Sequence, residues 1–423
     1  MDNIFYEIYP LGFSGCPKVN DGITVSRIRR VIEWIPHFRR LGINFIYFAP
    51  VFSSSSHGYD TSDYMKLDER LGTNKDFQDV CWALKENGIR IMLDGVFNHV
   101  GRSFWAFQDV VRNKKDSRYC SWFYIDWNRN SLDDDGFFYE GWEGHYELVR
   151  LNLENREVRD YLKSAIEFWY RSFGIDALRL DVAYSLNREF LRELGSLRKE
   201  LGIMLVGEVI HGDLREYISD SILDSATGYE CYKGIYSSFN DRNMFEIDYS
   251  LNRLFSDSGL YKGLELLSFL DNHDVSRIAS KLNDKRHLKL AYAILMTMPG
   301  YPSIYYGSEW GEMAEKIDAS DWNLRPCFES YKWNDLTDYI AKLIDIRHGN
   351  PELQSYSYER IFTDSSVLIY RRGSIITAIN ALQSEYYPHL WPMNVMELIS
   401  GDAMELPEYP RLEPFSASIW KVL

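Results

Sequence analysis

Four acidic residues stand where short apolar segments end: Asp94 after IRIML, Asp181 after ALRL, Glu208 after IMLVG and Asp274 after LELLSFLDNH. A carboxylate at such a position can simply cap the helix that follows, and for any one of them capping is a sufficient explanation. Four in succession favour chemistry, because the active site of a barrel of alternating strands and helices lies at the C-terminal ends of its strands. We therefore take these carboxylates as candidate catalytic groups.

Asp181 and Glu208 have the surroundings that cleavage of a glycosidic bond requires. In retaining cleavage one carboxylate attacks the anomeric carbon, while a second carboxyl, about 5–5.5 Å away, protonates the leaving oxygen and later activates water. Arg179 shares a strand face with Asp181, because side chains alternate along a strand, and its charge is expected to lower the pKa of Asp181. Glu208 follows an apolar segment and Gly207, where partial burial is expected to raise its pKa.

Strand-like and helical patterns alternate around these acids. Apolar runs such as INFIYFAP are separated by amphipathic stretches such as KDFQDVCWALKENG, which is typical of parallel β/α architecture. The pattern predicts an α/β fold, a (β/α)8 TIM barrel, at residues 1–98 and 153–350. Residues 99–152 are rich in Trp, Asp and Gly without a sustained period, which predicts an excursion domain after the third strand. Residues 351–423 contain strand-like runs without helices between them, which predicts a C-terminal antiparallel β-sandwich.

Four segments resemble the four signature regions of the α-amylase family of glycoside hydrolases (family 13), in the same order: DGVFNH (94–99), ALRLDVA (177–183), GEV (207–209) and FLDNHD (269–274). Each motif alone is a weak signal, but together they are highly specific. The likeness covers nearly the whole chain up to about residue 330.

The resemblance implies a role for each residue that matches a family position. Asp181 would be the nucleophile, Glu208 the general acid/base, and Asp274 the carboxylate that holds the 2- and 3-hydroxyls of the distorted sugar. The resemblance further implies that Arg179 orients the nucleophile and that Asp94 supports the site. It also implies that two histidines bond hydroxyls of the sugar at the cleavage site, namely His99 and His273.

The stretch HGYDTSDY (57–64) is similar to the family's loop after the second barrel strand. Tyr59 would stack on the sugar at the cleavage site, and the alternative is a loop aromatic that packs on the barrel rim. Asp60 would form an ion pair with Arg325 of NLRPCF, and this pair would help to close the non-reducing side of the cleft. A surface ion pair without consequence is the alternative for these two residues.

The chain is most similar to the cyclomaltodextrinase, neopullulanase and maltogenic amylase group, through PVFSSSSHGYDTSDY and WFYIDW. After Asp181 the chain reads VAYS, where that group typically has V-A-N-E, so it departs from the pattern at Tyr184 and Ser185. It also has Ile210 where the group usually has a tryptophan. It also begins at the first barrel strand, whereas the group usually carries an N-terminal β-domain used in dimerisation. The departures leave substrate specificity and oligomeric state open.

A calcium site is expected to be absent, and no other metal or cofactor is predicted. Asn98 matches a position that ligates Ca²⁺ in many α-amylases, but Arg150 of LVRLN stands where the family usually has an aspartate. Calcium binds about six to eight oxygen ligands, several of them carboxylates, and a guanidinium repels it. The acidic run at 133–135 is more simply explained as a solvated loop.

Composition restricts the partners and the compartment. A formal net charge of -15 argues against nucleic acid and anionic membrane as partners, and a neutral α-glucan suits it better. The odd number of cysteines, 5, without a C-x-x-C pair predicts reduced thiols in a cytoplasmic protein. The N-terminal MDNIFYEIYP lacks the pattern of a signal peptide, and no apolar run reaches the roughly 18–20 residues of a membrane span.

Three functions are compatible with these features. The first is a retaining hydrolase of α-1,4 bonds, with α-1,6 bonds as an option, in maltodextrins, cyclodextrins or starch. The second is an α-glucan transferase or isomerase, similar to trehalose synthase or sucrose phosphorylase, because the same glycosyl-enzyme serves both reactions. A non-catalytic binding protein is the third, and it is disfavoured because all three acids are present.

Overall fold

Helices and buried strands alternate along residues 3–317 and 320–423, which are the residues that the computed structural model describes. The helices are α1 (Pro10–Phe13), α2 (Arg30–Glu33), α3 (Ile35–Leu41), α4 (Asn74–Glu86), α5 (Trp105–Asn113), α6 (Arg156–Phe173), α7 (Arg188–Leu201), α8 (Tyr229–Asn240), α9 (Phe245–Phe255), α10 (Ile278–Lys281), α11 (Leu288–Thr297) and α12 (Asp335–Gly349). None of these helices is both long and apolar enough to cross a membrane.

Local sequence decides where the long helices begin and end. Helix α4 starts with a capping box, in which the Thr73 hydroxyl accepts from the Asp76 N–H at 3.2 Å and the Asp76 carboxylate accepts from the Thr73 N–H at 3.0 Å. Helix α6 begins after Asn155, whose side chain accepts from the Glu157 N–H at 2.9 Å. It ends at Gly174, which has a φ of 62° that suits a residue without a Cβ.

The strands are β1 (Phe5–Ile8), β2 (Phe45–Phe48), β3 (Phe52–Ser54), β4 (Thr61–Leu67), β5 (Arg90–Gly95), β6 (His99–Gly101), β7 (Ile125–Asp126), β8 (Phe138–Tyr139), β9 (Gly141–Trp142), β10 (His145–Arg150), β11 (Ala177–Leu180), β12 (Met204–Gly207), β13 (Ser225–Thr227), β14 (Leu266–Phe269), β15 (Tyr301–Tyr305), β16 (Glu359–Thr363), β17 (Val367–Arg372), β18 (Ile375–Asn380), β19 (Met393–Glu397), β20 (Ala403–Leu406) and β21 (Ser416–Val422).

Eight parallel strands form a closed barrel in the order β1-β15-β14-β13-β12-β11-β5-β2, which confirms the predicted TIM barrel. Their apolar side chains are buried on both faces, because helices cover the outside and side chains fill the inside. Phe5, Phe45, Met92 and Val206 are among the residues that fill the interior. The strands are therefore short continuous apolar runs, which made them recognisable in the sequence.

Two small antiparallel sheets lie in the segment for which the excursion was predicted, with the orders β6-β10-β9 and β7-β8. The first places β10 beside β6, with Arg150 opposite His99. The sheet therefore starts directly from the loop after barrel strand β5. The domain boundaries at 98/99, 152/153 and 350/351 stay predictions.

The C-terminal part is built on a six-stranded antiparallel sheet in the order β16-β17-β18-β21-β19-β20, so the antiparallel architecture predicted there is confirmed. Its two faces bury different side chains. Leu368 and Tyr370 belong to the core shared with the barrel helices. Val367 packs into a separate core with Leu390 and Leu412, which come from irregular segments that cover the outer face.

Candidate active site

Three of the predicted acids lie at the C-terminal ends of neighbouring barrel strands. Asp94 is in β5, Asp181 follows β11 and Glu208 follows β12. The parallel ladder continues past the strand ends, since the Asp181 N–H donates to the Gly95 carbonyl at 3.1 Å and the Glu208 N–H to the Leu180 carbonyl at 2.9 Å. Strand register, rather than loop conformation, therefore sets the spacing of the candidate nucleophile and acid/base.

The Arg179 guanidinium binds all three of these carboxylates. Its Nη1 lies 2.8 Å from Asp94 Oδ2 and 2.9 Å from Asp181 Oδ1, and its Nη2 lies 2.9 Å from Glu208 Oε2. Arg179 is only 3% exposed. A buried guanidinium with this many partners holds them in fixed positions, because each lost contact would leave a buried charge uncompensated.

Glu208 has two further hydrogen-bond donors. The Val182 N–H donates to its Oε2 at 3.0 Å, and the Tyr229 hydroxyl donates to its Oε1 at 3.3 Å. Val182 reaches this position with φ 40° and ψ 46°, a left-handed conformation that is costly for a β-branched residue. The backbone directly after the candidate nucleophile is therefore strained in a way that aims an N–H at the candidate acid/base.

The pKa of Asp181 differs from the sequence expectation. Arg179 does lower it, as predicted, but burial outweighs this effect, and the charges of Glu208 and Asp94 add to it. The pKa of Asp181 is therefore raised well above its usual value. Burial also raises the pKa of Asp94. Asp181 and Asp94 consequently retain a proton more readily than isolated carboxylates would.

His273 links the candidate clamp Asp274 to the barrel floor. Its Nδ1 lies 2.5 Å from Glu7 Oε1, and its Nε2 lies 3.0 Å from Asp274 Oδ2 and contacts the Tyr59 hydroxyl. Burial lowers the pKa of His273, but Asp274 and Glu7 outweigh burial and raise it to about 10. For Asp274, burial raises the pKa, but the charges of His273 and Arg325 outweigh burial and hold the pKa of Asp274 below its usual value. The pair is charged at neutral pH.

Asp60 does not form the expected ion pair with Arg325. The Asp60 carboxylate accepts from the His57 N–H at 3.1 Å and the Ser56 hydroxyl at 3.0 Å. Arg325 Nη2 lies 3.4 Å from Asp274 Oδ1 and 3.5 Å from Asp321 Oδ2.

The Tyr9 ring separates the two residues. Its hydroxyl accepts from Arg325 Nη1 at 3.1 Å and donates to the His57 carbonyl at 2.5 Å. The prediction of a direct pair was wrong because the intervening ring comes from the loop after β1, which lies far away in the sequence.

His99 has a free nitrogen at the cleft. Its Nδ1 lies 3.2 Å from Asn98 Nδ2, whereas its Nε2 has no hydrogen-bond partner among the described residues. Burial lowers its pKa to about 3, so the ring is neutral. The Trp142 ring stacks on it at a centroid distance of 5.9 Å. A neutral, unpartnered nitrogen in a cleft is suited to bonding a hydroxyl of a ligand.

The cleft above these residues has a volume of about 460 Å³. Its floor carries the three predicted catalytic carboxylates, and Tyr59, His99 and Arg325 also line it. Aromatic rings stand around it, which gives apolar surfaces of the kind that pack against sugar rings. These rings belong to Tyr59, Trp142, Tyr184 and Trp322.

The residues at the family's calcium position do not fit calcium. Arg150 lies opposite His99 in the β-ladder, and its guanidinium binds Glu140 at 2.8 Å. The Asn98 carbonyl accepts from the Leu151 N–H at 3.0 Å. Within residues 3–317 and 320–423, no group of three or more His, Cys, Asp or Glu side chains is placed to hold a metal ion. The absence of calcium stays a prediction.

Sequence reasoning missed several residues that the structure brings to the site. Glu7 was identifiable in principle, because an acid inside the apolar strand FYEIYP is unusual and needs a partner. Tyr229 and Trp142 had no local signal, since single aromatic residues are common in this chain. The strained backbone of Val182 was likewise invisible, because valine disfavours that conformation.

Comparisons with known proteins show the family of the chain. The family described as "Alpha amylase, catalytic domain" matches residues 7–340. A maltogenic α-amylase of Bacillus acidopullulyticus is 32% identical over 390 residues, which cover 83% of this chain and 63% of that protein. A cyclomaltodextrinase of Thermoanaerobacter pseudethanolicus is 30% identical over 411 residues, which cover 90% of this chain and 70% of that protein. The chain therefore spans about two thirds of the length of these curated relatives.

A solved structure matches over nearly the full length of both chains. The debranching enzyme of Nostoc punctiforme, soaked with acarbose, superposes with a TM-score of 0.80 at 28% sequence identity. The match covers 99% of this chain and 98% of that chain. The barrel, the excursion and the C-terminal sheet thus occur together in another protein with the same arrangement.

Proposed function

The chain belongs to the α-amylase family, and on this premise we propose that it is a retaining glycoside hydrolase of α-glucans. Its substrates would be maltodextrins, cyclodextrins or starch, cleaved at α-1,4 bonds. The relatives named maltogenic α-amylase and cyclomaltodextrinase support this choice. The similarity to a debranching enzyme is a reason to include α-1,6 bonds.

One observation carries the proposal: a single guanidinium binds both Asp181 and Glu208. Its two Nη atoms lie 2.9 Å from Asp181 Oδ1 and 2.9 Å from Glu208 Oε2. One guanidinium in contact with both carboxyl groups holds them in fixed positions on neighbouring strands, and a retaining enzyme needs two such groups about 5–5.5 Å apart. An inverting enzyme needs about 6.5–9.5 Å to admit a water molecule between carboxyl and sugar.

In the proposed reaction, Glu208 donates its proton to the glycosidic oxygen while Asp181 attacks the anomeric carbon. The bond from that carbon to the leaving oxygen breaks, and a covalent glycosyl–Asp181 ester forms. Glu208, now ionised, removes a proton from water, which attacks the same carbon and releases Asp181. Burial raises the pKa of Asp181, and the Arg179 guanidinium opposes that shift and favours the ionised form that attacks.

The remaining residues would stabilise the positive charge and the distorted ring of the transition state. Asp274 is held ionised by His273 and Arg325, so it can accept hydrogen bonds from two sugar hydroxyls. His99 Nε2 would supply a further hydrogen bond, while His273, whose two ring nitrogens contact Glu7 and Asp274, would hold Asp274 in place. Tyr59 donates to Asp94 Oδ2 at 3.1 Å, which fixes its ring beside the sugar position.

Product analysis of wild type and Asp181→Asn tests the proposal. Maltoheptaose, β-cyclodextrin, pullulan and starch are incubated with each protein, and products are separated by chromatography while NMR records the first anomer released. We expect α-anomers from the wild type and a loss of kcat of about 10³-fold or more in Asp181→Asn. Asp133→Asn, in the exposed acidic run, is the matched control and should retain activity.

Two results would contradict the proposal. Full activity of Asp181→Asn would exclude it as the nucleophile. Rearrangement of maltose or sucrose without new reducing ends from maltoheptaose would replace the hydrolase with the transferase or isomerase.

We propose a cytoplasmic location and an α-glucan as the partner. The thiols of all five cysteines are free, which suits a reducing compartment. The strongly acidic balance of the chain disfavours polyanionic partners.

A further inference from the structure

A cavity of about 950 Å³, larger than the catalytic cleft, lies where the barrel meets the C-terminal part. The barrel contributes the C-terminal end of α8 and the turn before α11, including Phe239 and Lys285. The C-terminal part contributes residues 381–384 and Phe415. Its volume is within the range of about 300–1,000 Å³ that is usual for small-molecule sites.

Positive charge prevails in this cavity although the chain as a whole carries -15. Arg242, Lys285 and Arg286 line it together with one acid, Asp284, which binds Arg286 at 2.6 Å. Neither Arg242 nor Lys285 has a carboxylate within ion-pair distance in the part of the chain that the structure describes. Lys285 Nζ donates one hydrogen bond, to the Leu282 carbonyl at 3.1 Å, so neither cation is neutralised by a carboxylate.

The field of these cations reaches a buried neighbour. Burial lowers the pKa of His287, and the charges of Arg286 and Arg242 lower it further, against the opposing effect of Asp284. His287 lines the same cavity and stacks on Phe239 at a centroid distance of 4.9 Å. Burial and the nearby cations thus keep the His287 ring uncharged at neutral pH.

Uncharged polar side chains complete the lining. Asn283, Gln383 and Ser384 face the cavity, and their side chains make no hydrogen bond to another described residue. The Phe415 ring stands beside them, with the Arg286 guanidinium 4.0 Å from its centroid. Amide and hydroxyl side chains can bond the hydroxyls of a ligand, an aromatic ring can pack on its apolar face, and the cations can bind its negative charge.

The backbone at this cavity is strained. Arg242 has φ 52° and Phe415 has φ 47°, and these are two of the six non-glycine residues with positive φ among those described. Such conformations persist where the surrounding structure holds a side chain in a required position, and they concentrate at functional sites. Arg242 supplies one of the two cations of the cavity, and Phe415 supplies its aromatic ring.

We propose that this cavity is an accessory binding site for a phosphorylated sugar. The phosphate would accept charge-assisted hydrogen bonds from Arg242 and Lys285, while Phe415 would pack against the apolar face of the sugar ring. Asn283, Gln383 and Ser384 would bond its hydroxyls. A nucleic acid is not the occupant, because a protein of charge -15 repels an extended polyanion.

Isothermal titration calorimetry tests the site with glucose 6-phosphate, glucose and inorganic phosphate as separate ligands. We expect glucose 6-phosphate to bind more tightly than either of its parts, and Arg242→Gln or Lys285→Gln to weaken it about ten-fold or more. Arg192→Gln, an exposed arginine on α7, is the matched control and should change the Kd by less than about two-fold. Sodium chloride at about 0.5 M should weaken the binding as well.

Glucose 6-phosphate binding that is no tighter than that of inorganic phosphate would overturn the proposal, and so would binding that is unchanged in Arg242→Gln. Unfolding midpoints of the variants separate loss of the site from loss of the fold, since both cations are exposed and their removal should leave stability unchanged. The measurement is of binding at residues outside the cleft, so its outcome is independent of the proposed hydrolytic activity.

Discussion

At the scale of single residues, the site depends on buried charges of opposite sign that compensate one another. Arg179 compensates three carboxylates, and His273 is held between Glu7 and Asp274. Burial without partners would neutralise each of these groups, so the partners determine which form is present. The protonation state of the clamp therefore depends on contacts between strand β1 and the loop after β14, and not on any one motif.

The protonated His273 makes stability depend on pH. Its pKa is raised to about 10 in the folded protein, whereas in an unfolded chain it is about 6.5. The stabilisation by this group is therefore complete below about pH 6.5 and is lost as the pH rises through about 10. We expect the free energy of unfolding to fall between pH 7 and pH 10, and to fall less in His273→Gln.

Denaturant unfolding at several pH values measures this slope. His287→Gln is the matched control, because burial lowers the pKa of His287 and the residue is already neutral in that range. Equal slopes in wild type and His273→Gln would show that His273 is not charged in the folded protein.

At the scale of elements, the ends of the barrel strands position the reactive groups. The turn after β11 shows this most clearly, because Val182 takes a left-handed conformation while its N–H donates to Glu208. A left-handed conformation costs an L-residue with a Cβ about 1–2 kcal/mol. The valine side chain, only 8% exposed, recovers part of this by burial.

At Val182, a glycine variant should be more stable than an alanine variant, which is the reverse of the usual order of stability. Val182→Ala loses buried methyl groups and keeps the strain, whereas Val182→Gly loses slightly more surface but releases the strain. We expect Val182→Gly to be more stable than Val182→Ala by about 1 kcal/mol in denaturant unfolding. Val206, inside the barrel with an ordinary strand conformation, is the control position, where alanine should be the more stable. The same order at both positions would exclude strain at Val182.

At the scale of the whole molecule, the C-terminal sheet and the barrel share one core. Leu368 and Tyr370 pack against barrel helices, and the Arg372 guanidinium donates to the Thr297 carbonyl at 3.0 Å. Arg347 of α12 bonds the Met296 carbonyl at 2.8 Å, so the last turn of α11 is held from two sides. The sheet is therefore part of the support of the barrel.

We expect the barrel and the sheet to unfold together. Leu368→Ala, on the shared face, should cost about 2–5 kcal/mol and lower the temperature of a single calorimetric transition, with activity lost in the same range. Val367→Ala, on the outer face, is the neighbouring comparison and should shift the same transition. Two separate transitions, with activity surviving the first, would show that the sheet unfolds independently.

Sequence alone determined the features that depend on local pattern. Apolar strands, amphipathic helical stretches and the four segments around Asp94, Asp181, Glu208 and Asp274 were sufficient to predict the barrel and to propose its reactive carboxylates. This is possible because period, capping and strand ends are encoded within a few residues.

Only the tertiary structure decided what depends on distant partners. Arg325 bonds the Tyr9 hydroxyl and not the predicted partner Asp60. The Glu7 carboxylate favours the protonated form of His273. Burial raises the pKa of Asp181, which was predicted to be lowered. The cavity at Arg242 also forms from segments that lie far apart in the chain. Burial and electrostatic partners are sums over residues that only folding brings together, and no local pattern contains them.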